Sequence, residues 1–335
     1  MGFRSNLASL LLFIIAPLST LTLHICVGKY PLAPTIIPTL FIEKISRNSE
    51  HALEQLIFFN IRLPRAVMAA LFGAAMGVAG ASLQSILKNP LVSPYTLGIS
   101  SGAAVGAALS LAFNLGAFST EASAFTFALL AASLTLAISR VRGSLSSVSI
   151  VLAGVVVSAL FQGVLTLIQI TAQPENVSAI ISWMAGRLNA VTWNHILLST
   201  PPALVGILGM VLLRWRVYVL SMGDEEAKAL GVNVAREKII IIVLASLAVS
   251  SVVTAAGIIG WVCLITPHLT RLIIGSDPKK LLPASLSLGA AFLLVADALA
   301  KSAWIYEIPV GVVATLVGTP LFLYLLRRSM HMYGG

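Results

Sequence analysis

Charged side chains are scarce in this sequence: Asp, Glu, Lys and Arg make up 10% of its 335 residues, against about 25% in a soluble domain. Too few charges are available to cover a water-facing surface. Cysteine is nearly absent as well. Cys26 and Cys263 each lie in an apolar run without a CxxC partner, so they read as buried thiols and imply neither a disulfide framework nor a metal site. No H-E-x-x-H and no G-x-x-x-x-G-K-[ST] occurs, so the chain carries neither a zinc-protease helix nor a P-loop for ATP. Low-complexity linkers and hydrophilic stretches of domain length are missing too. Ionisable residues are nearly absent from the middles of the apolar runs, where an ion- or proton-coupled secondary carrier would ordinarily need them.

What is present in quantity is hydrocarbon. The chain is 58% hydrophobic with a mean hydropathy of +0.98. Apolar runs near 7–27, 66–87, 92–113, 122–139, 148–172, 194–213, 239–259, 262–275, 281–300 and 308–326 recur along its length, most of them long enough for a ~30 Å hydrocarbon core. The first run follows Arg4, shows no A-x-A cleavage pattern and reads as a retained span. The eighth is short and interrupted by Pro267, so hydropathy leaves nine or ten spans open. Charge decides. With ten spans and an inner N-terminus, 14 of the 21 Lys and Arg fall inside, among them Arg4, Arg142, Arg271, Arg327 and Arg328; with nine, 10 fall inside and 11 outside. Positive charge concentrates on the cytoplasmic side. The expectation is therefore an all-α polytopic membrane protein, residues 1–335 as a single transmembrane domain of about ten helices, both termini cytoplasmic. The outer loops balance, and the whole net charge of +9 lies inside, where lipid headgroups account for it; no nucleic acid is needed. In the long outer segment 28–61, "EHALEQLIFF" could lie as an interfacial helix.

Small residues punctuate the second and third spans. Gly73 and Gly77 make one small-xxx-small step, and Gly98, Gly102 and Gly106 make two more. Such rows let helices approach closely in lipid, for tight packing or for a face that slides during gating. In "LKNPLVSP", Pro90 ends one helix and Ser93–Pro94 reads as an N-cap followed by proline at N1. "GISSG" (98–102) matches the G-x-S-x-G nucleophile elbow, but it lies inside a span with no His or Asp nearby in sequence, not on a strand-to-helix turn. Pro267, His268 and Arg271 sit near the inner face; the last two share a helical face and either meet freed carbonyls and lipid or belong to a gate. Asp297 and Lys301, four apart at the outer end of the ninth span, can pair near water.

The most polar stretch, "SMGDEEAKALGVNV" (221–234), separates two apolar runs on the cytoplasmic side. Asp224 can cap a short helix whose positive end Glu225 and Glu226 complement. Gly231 supplies a left-handed stop, and Asn233 can cap the following helix. Two short helices with a tight elbow are expected.

The segment 61–109, "IRLPRAVMAALFGAAMGVAGASLQSILKNPLVSPYTLGISSGAAVGAAL", resembles the signature of permeases in binding-protein-dependent ABC importers for iron–siderophore, haem and cobalamin. "GDEEAKALGVNV" looks like that family's coupling loop, and "GIIGWVCLITPHLTRLIIGSDPKKLLP" and "EIPVGVVATLVGTPLFLYLL" are similar to its C-terminal segments. The resemblance implies a type II importer permease fold of ten helices, with two permease copies, a homodimer by expectation, around one apolar pathway. It places the coupling loop within 221–238, with Gly223, Asp224, Glu225, Glu226, Ala227, Leu230 and Gly231 entering a groove on a cytoplasmic ABC ATPase dimer. That dimer would hold ATP and Mg2+; this chain would bind no cofactor or metal and catalyse nothing. Arg62 and Arg65 match the family's R-L-P-R and would dock acidic residues of a periplasmic or lipid-anchored binding protein. Lys301 stands where many members have arginine, so a monodentate contact is expected there. The implied setting is a bacterial or archaeal inner membrane, and the implied cargo a ferric siderophore, with haem, cobalamin or an oxyanion such as molybdate as alternatives.

Overall fold

The computed structural model describes residues 11–46, 50–140, 145–302 and 306–333, with side chains placed from Phe13 to Leu325 within those ranges. Arg4 and Arg142 lie outside the described residues, as do the side chains of Arg327 and Arg328. Helices account for nearly all of it: α1 (Ala16–Cys26), α2 (Ile36–Ser46), α3 (Ala52–Ile86), α4 (Ile99–Ala112), α5 (Ala117–Ser139), α6 (Ser147–Thr171), α7 (Pro174–Met184), α8 (Trp193–Leu212), α9 (Arg214–Met222), α10 (Asp224–Ala229), α11 (Val234–Ala256), α12 (Val262–Ile274), α13 (Pro278–Ser302) and α14 (Val310–Tyr333). Six of these, α3, α5, α6, α8, α11 and α13, are long and apolar enough to cross a membrane, and four shorter apolar helices fall at Phe13–Cys26, Ile99–Ala112, Val262–Ile274 and Val310–Leu325. Together they occupy the ten positions expected from hydropathy and charge.

The boundaries differ from expectation for local reasons. Helix α3 starts at Ala52 and passes through a π-helical stretch at Ile57–Arg62, so "EHALEQLIFF" leads straight into the second span instead of lying apart. The outer segment instead contains α2, where Glu43 is held by His51 Nδ1 at 2.7 Å and Gln55 Nε2 at 2.9 Å. The third span starts late. Ser93 does cap a helix that begins with Pro94, but it is one 3-10 turn, and Gly98 then takes a left-handed conformation (φ 82°) before α4. Gly98 thus joins two helical pieces and does not extend the row of Gly102 and Gly106.

Helix α3 is the centre of the bundle. It packs most extensively along α13 and also against α12, α11 and α8, and 83% of its apolar window is buried, against 33% for α6. The approach is backbone to backbone. A Cβ at Gly73 would lie 2.1 Å from the Gly289 carbonyl oxygen, and one at Gly77 2.1 Å from that of Ser285. The α4–α5 contact repeats this at Gly102 and Gly106, against the Phe127 and Ser123 carbonyls. Without a hydrophobic drive between helices in lipid, such close van der Waals contact is what holds them. Gly73→Leu or Gly77→Leu should therefore reduce recovery of monodisperse protein in mild detergent to background. Thr126→Leu, at an exposed position of α5, should leave the size-exclusion profile unchanged.

Candidate coupling loop and outer charge cluster

The polar loop holds one short helix, α10; the second short helix expected after Asn233 is the first turn of the long α11. Helix α9 ends at Met222; Gly223, at positive φ (151°), is the N-cap of α10, and no side chain caps it. Asp224 is therefore not the cap expected from sequence but the first helical residue, and its carboxylate points back to Lys238 of α11, 2.7 Å away. The α10 C-terminus closes as foreseen. Gly231 sits at φ 78°, its N–H donates to the Lys228 carbonyl at 2.8 Å, and the Val232 N–H donates to that of Ala227 at 3.0 Å. This is the Schellman pattern, which requires a residue free to adopt positive φ. Asn233 Oδ1 then accepts from the Arg236 N–H at 3.1 Å and starts α11.

The outward face of α10 is open. Glu225, Lys228 and Leu230 are exposed, and only Ala227 is buried. Glu225 bonds Lys228 at 2.8 Å and raises its pKa above the ordinary lysine value. Beneath, the loop is fastened at three points. Lys88, at the end of α3, donates to the Met222 carbonyl at 2.5 Å; Arg216 of α9 pairs with Glu237 of α11; and Asp224 pairs with Lys238. Clefts of about 540 and 400 Å³ flank the loop on its two sides.

At the opposite end of the bundle the charges face inward. Arg62 donates to the carbonyls of Ile25, Cys26 and Tyr30, which gives the orphan carbonyls at the end of α1 a cationic partner. Arg65 grips Asp297 bidentately, Nε to Oδ2 at 2.7 Å and Nη2 to Oδ1 at 2.9 Å, and reaches Glu307 with Nη1 at 3.0 Å. His24 Nε2 lies 2.7 Å from the same Asp297 carboxylate, and Lys301 donates to the His24 carbonyl, with its ammonium 3.4 Å from Nδ1. These contacts fit a neutral ring carrying its proton on Nε2. The expected Asp297–Lys301 pair near water is not formed. The Asp297 side chain is fully buried and Lys301 nearly so, and each turns to α1 or α3 because a charge out of water needs its full set of partners. Arg62, Arg65 and Lys301 thus spend their donors within this chain.

Near the inner end, α12 runs unbroken through Pro267. Proline cannot donate to the carbonyl four residues back, and Gln84 of α3 supplies the missing donor: its Nε2 lies 3.1 Å from the Cys263 carbonyl. The Gln84 Oε1 in turn accepts from Arg271 at 2.7 Å. His268 stacks edge-on against Phe322. Among the described residues, one group could gather ligand atoms for a cation: Glu43, Glu50 and His51. Its hydrogen bonds lower the Glu43 pKa and raise that of His51, as a clasp of the outer segment does.

The sequence profile of the FecCD transport family matches residues 12–328. This chain belongs to the FecCD family. The "Probable iron chelatin transport system permease protein" of Helicobacter pylori (strain ATCC 700392 / 26695) is 38% identical over 282 residues, 84% of this chain and 86% of that protein. The molybdate import system permease protein MolB of Haemophilus influenzae is 33% identical over 314 residues, 92% of this chain and 93% of its own. A solved structure described as an inward-facing metal-chelate type ABC transporter superposes with a TM-score of 0.85 at 31% identity, covering 94% of this chain and 97% of that one. The chain is accordingly the membrane-embedded, non-catalytic permease subunit of an ABC importer, a class in which ATP hydrolysis belongs to a separate subunit.

In this FecCD permease, sequence reasoning placed Gly231 and Asn233 from turn chemistry alone. It missed His24, Gln84, Lys88 and Lys238, whose partners lie between 14 and 277 residues away. A buried ion pair broken on one side leaves an uncompensated charge, at a cost of about 3–5 kcal/mol. Asp297→Asn and Arg65→Met should each lower the unfolding midpoint in detergent markedly, while the paired Arg65→Met/Asp297→Leu change should recover part of the loss. Thermal-shift measurements of the three variants check this.

Proposed function

We propose that this permease imports a ferric siderophore, delivered from outside by a binding protein and driven by an ABC ATPase dimer that carries ATP and Mg2+ on the cytoplasmic side. The observation that carries the reading is the exposed α10, closed by Gly231 and fastened to α3 and α11 by charged side chains. It is a polar protrusion on a membrane domain whose sequence carries no P-loop, as a helix that enters a groove on a partner would be. The second permease is an identical copy, seated in part against the apolar face that α6 presents through Leu152, Val156, Leu160 and Leu167. The binding protein settles over the outer cluster. There Arg62, Arg65 and Lys301 act mainly by holding the shape of the docking surface, since their donors are engaged within the chain. Pro267, His268 and Arg271 belong to the inner gate, clasped to α3 by Gln84. The complex lies in a bacterial or archaeal inner membrane with both termini cytoplasmic.

Iron chelate is favoured as cargo by the 38% identity to the Helicobacter protein of that name. Molybdate is the second reading, favoured by the longer match to MolB. Proteoliposomes containing permease, ATPase and binding protein should take up a radioiron-labelled ferric siderophore only with ATP, and uptake should persist when the proton gradient is collapsed. Excess molybdate should not compete; competition would overturn the iron reading, and uptake without the ATPase would overturn the importer reading. Gly231→Val places a β-branched residue where φ is positive and should lower uptake at least about tenfold, the size of an ordinary coupling energy. Unchanged uptake per ATP in that variant would argue against α10 as the coupling element.

A further inference from the structure

Lys238 is the unusual residue of the cytoplasmic face. Its side chain is fully buried in the second turn of α11, although lysine is rarely buried without cause. Its ammonium has two partners on two other elements: the Asp224 carboxylate of α10 at 2.7 Å, and the Leu145 carbonyl at 3.4 Å. Leu145 is the last residue before Ser146, which caps α6 by accepting from the Ser149 N–H at 3.0 Å. One side chain therefore joins the coupling helix, the seventh span and the entry of the fifth. The link matters because little else does this work. Helix α10 packs only lightly on α11, and the cleft of about 540 Å³ separates the loop from Leu145 and Ser146.

We infer that Lys238 is the positioning residue through which displacement of α10 is transmitted to α6, an inference that rests on the coupling role proposed above. The physical reason is the burial of the ammonium, since the Lys238 side chain is enclosed while its partner carboxylate is 40% exposed. If α10 is pushed, the ammonium must follow the Asp224 carboxylate or remain buried without a counter-charge, which is strongly unfavourable. Following it carries the Leu145 peptide along and tilts the capped start of α6. The cleft leaves room for that movement. Helix α6 can respond, being among the least enclosed of the spans. Lys88, by contrast, ties the loop entry to the centrally packed α3 and serves as the fixed side of the device.

The test needs a readout that loss of stability alone would not move. Spin labels at Val155 on α6, away from the face assigned to the second copy, and Leu208 on α8, both exposed, report the distance between these helices by pulsed EPR. The complex is isolated by pulldown on the ATPase, so that only the ATPase-bound fraction is measured, with and without ATP and vanadate. In the otherwise unaltered protein the distance distribution should shift on trapping. In Lys238→Met/Asp224→Leu, where no buried charge is left unpaired, the shift should be lost, and ATP hydrolysed per cargo imported should rise about tenfold. Asp224→Asn is the milder second variant and should reduce the shift. A full shift in both variants overturns the inference. Failure of the unaltered permease to retain an ATPase would instead overturn the importer reading beneath it.

Discussion

A hydrocarbon core offers no hydrogen bond to a freed backbone carbonyl, and much of this structure follows from that. Wherever a helix stops or is broken inside the membrane, a donor must come from elsewhere in the protein. At Pro267 the donor is Gln84; at the end of α1 it is Arg62; at the unwound turn between α11 and α12 it is the Tyr95 hydroxyl, 2.6 Å from the Ile259 carbonyl. The Ala256 carbonyl at the end of α11 receives the Arg187 N–H at 2.7 Å. Arg62 and Gln84 come from opposite ends of α3, and Tyr95 and Arg187 from two further segments. The breaks that allow short helices therefore also fix which helices must be neighbours. The glycine contacts of α3 then set how near those neighbours stand.

The two ends of the bundle handle charge in opposite ways. At the outer end, His24, Arg65, Asp297, Glu307 and Lys301 answer one another across α1, α3 and α13, and the arginine fork gives that surface a defined geometry. At the inner end, the charges of α10 face outward while Asp224 alone turns in. An importer needs both. Its outer face must present a fixed shape to a partner that binds and leaves, and its inner face must accept displacement without coming apart.

The parts of this arrangement that were legible in the sequence depend on local or summed signals. Hydropathy and loop charge are sums over many residues, and they located ten spans even though the eighth is only 13 residues long. Gly231 and Asn233 were legible because turn chemistry is decided within a few residues. Asp224 was misjudged by one position: an acid before a short helix reads as a cap, yet glycine at 223 took that place and freed the carboxylate for a distant lysine. Helices α2 and α7 were missed because short outer helices lack the length that separates a span from a loop. Gln84 and Lys238 look like ordinary polar residues at the ends of spans. Nothing local distinguishes them, since what they satisfy is a carbonyl or carboxylate brought there by the fold.

The hold of Arg62 on the end of α1 also bears on how the protein is made. The guanidinium that meets the last carbonyls of the first span follows some 36 residues later in the chain. A hairpin of α1 and α3 brings Arg62 to the Ile25 and Cys26 carbonyls, while among the described residues the His24 carbonyl is met only by Lys301 of α13. Arg65 and His24, already in place in that hairpin, must wait for Asp297, which is 232 residues beyond the arginine. The arrival of α13 thus brings the acid partner of Arg65 and the donor to the His24 carbonyl together.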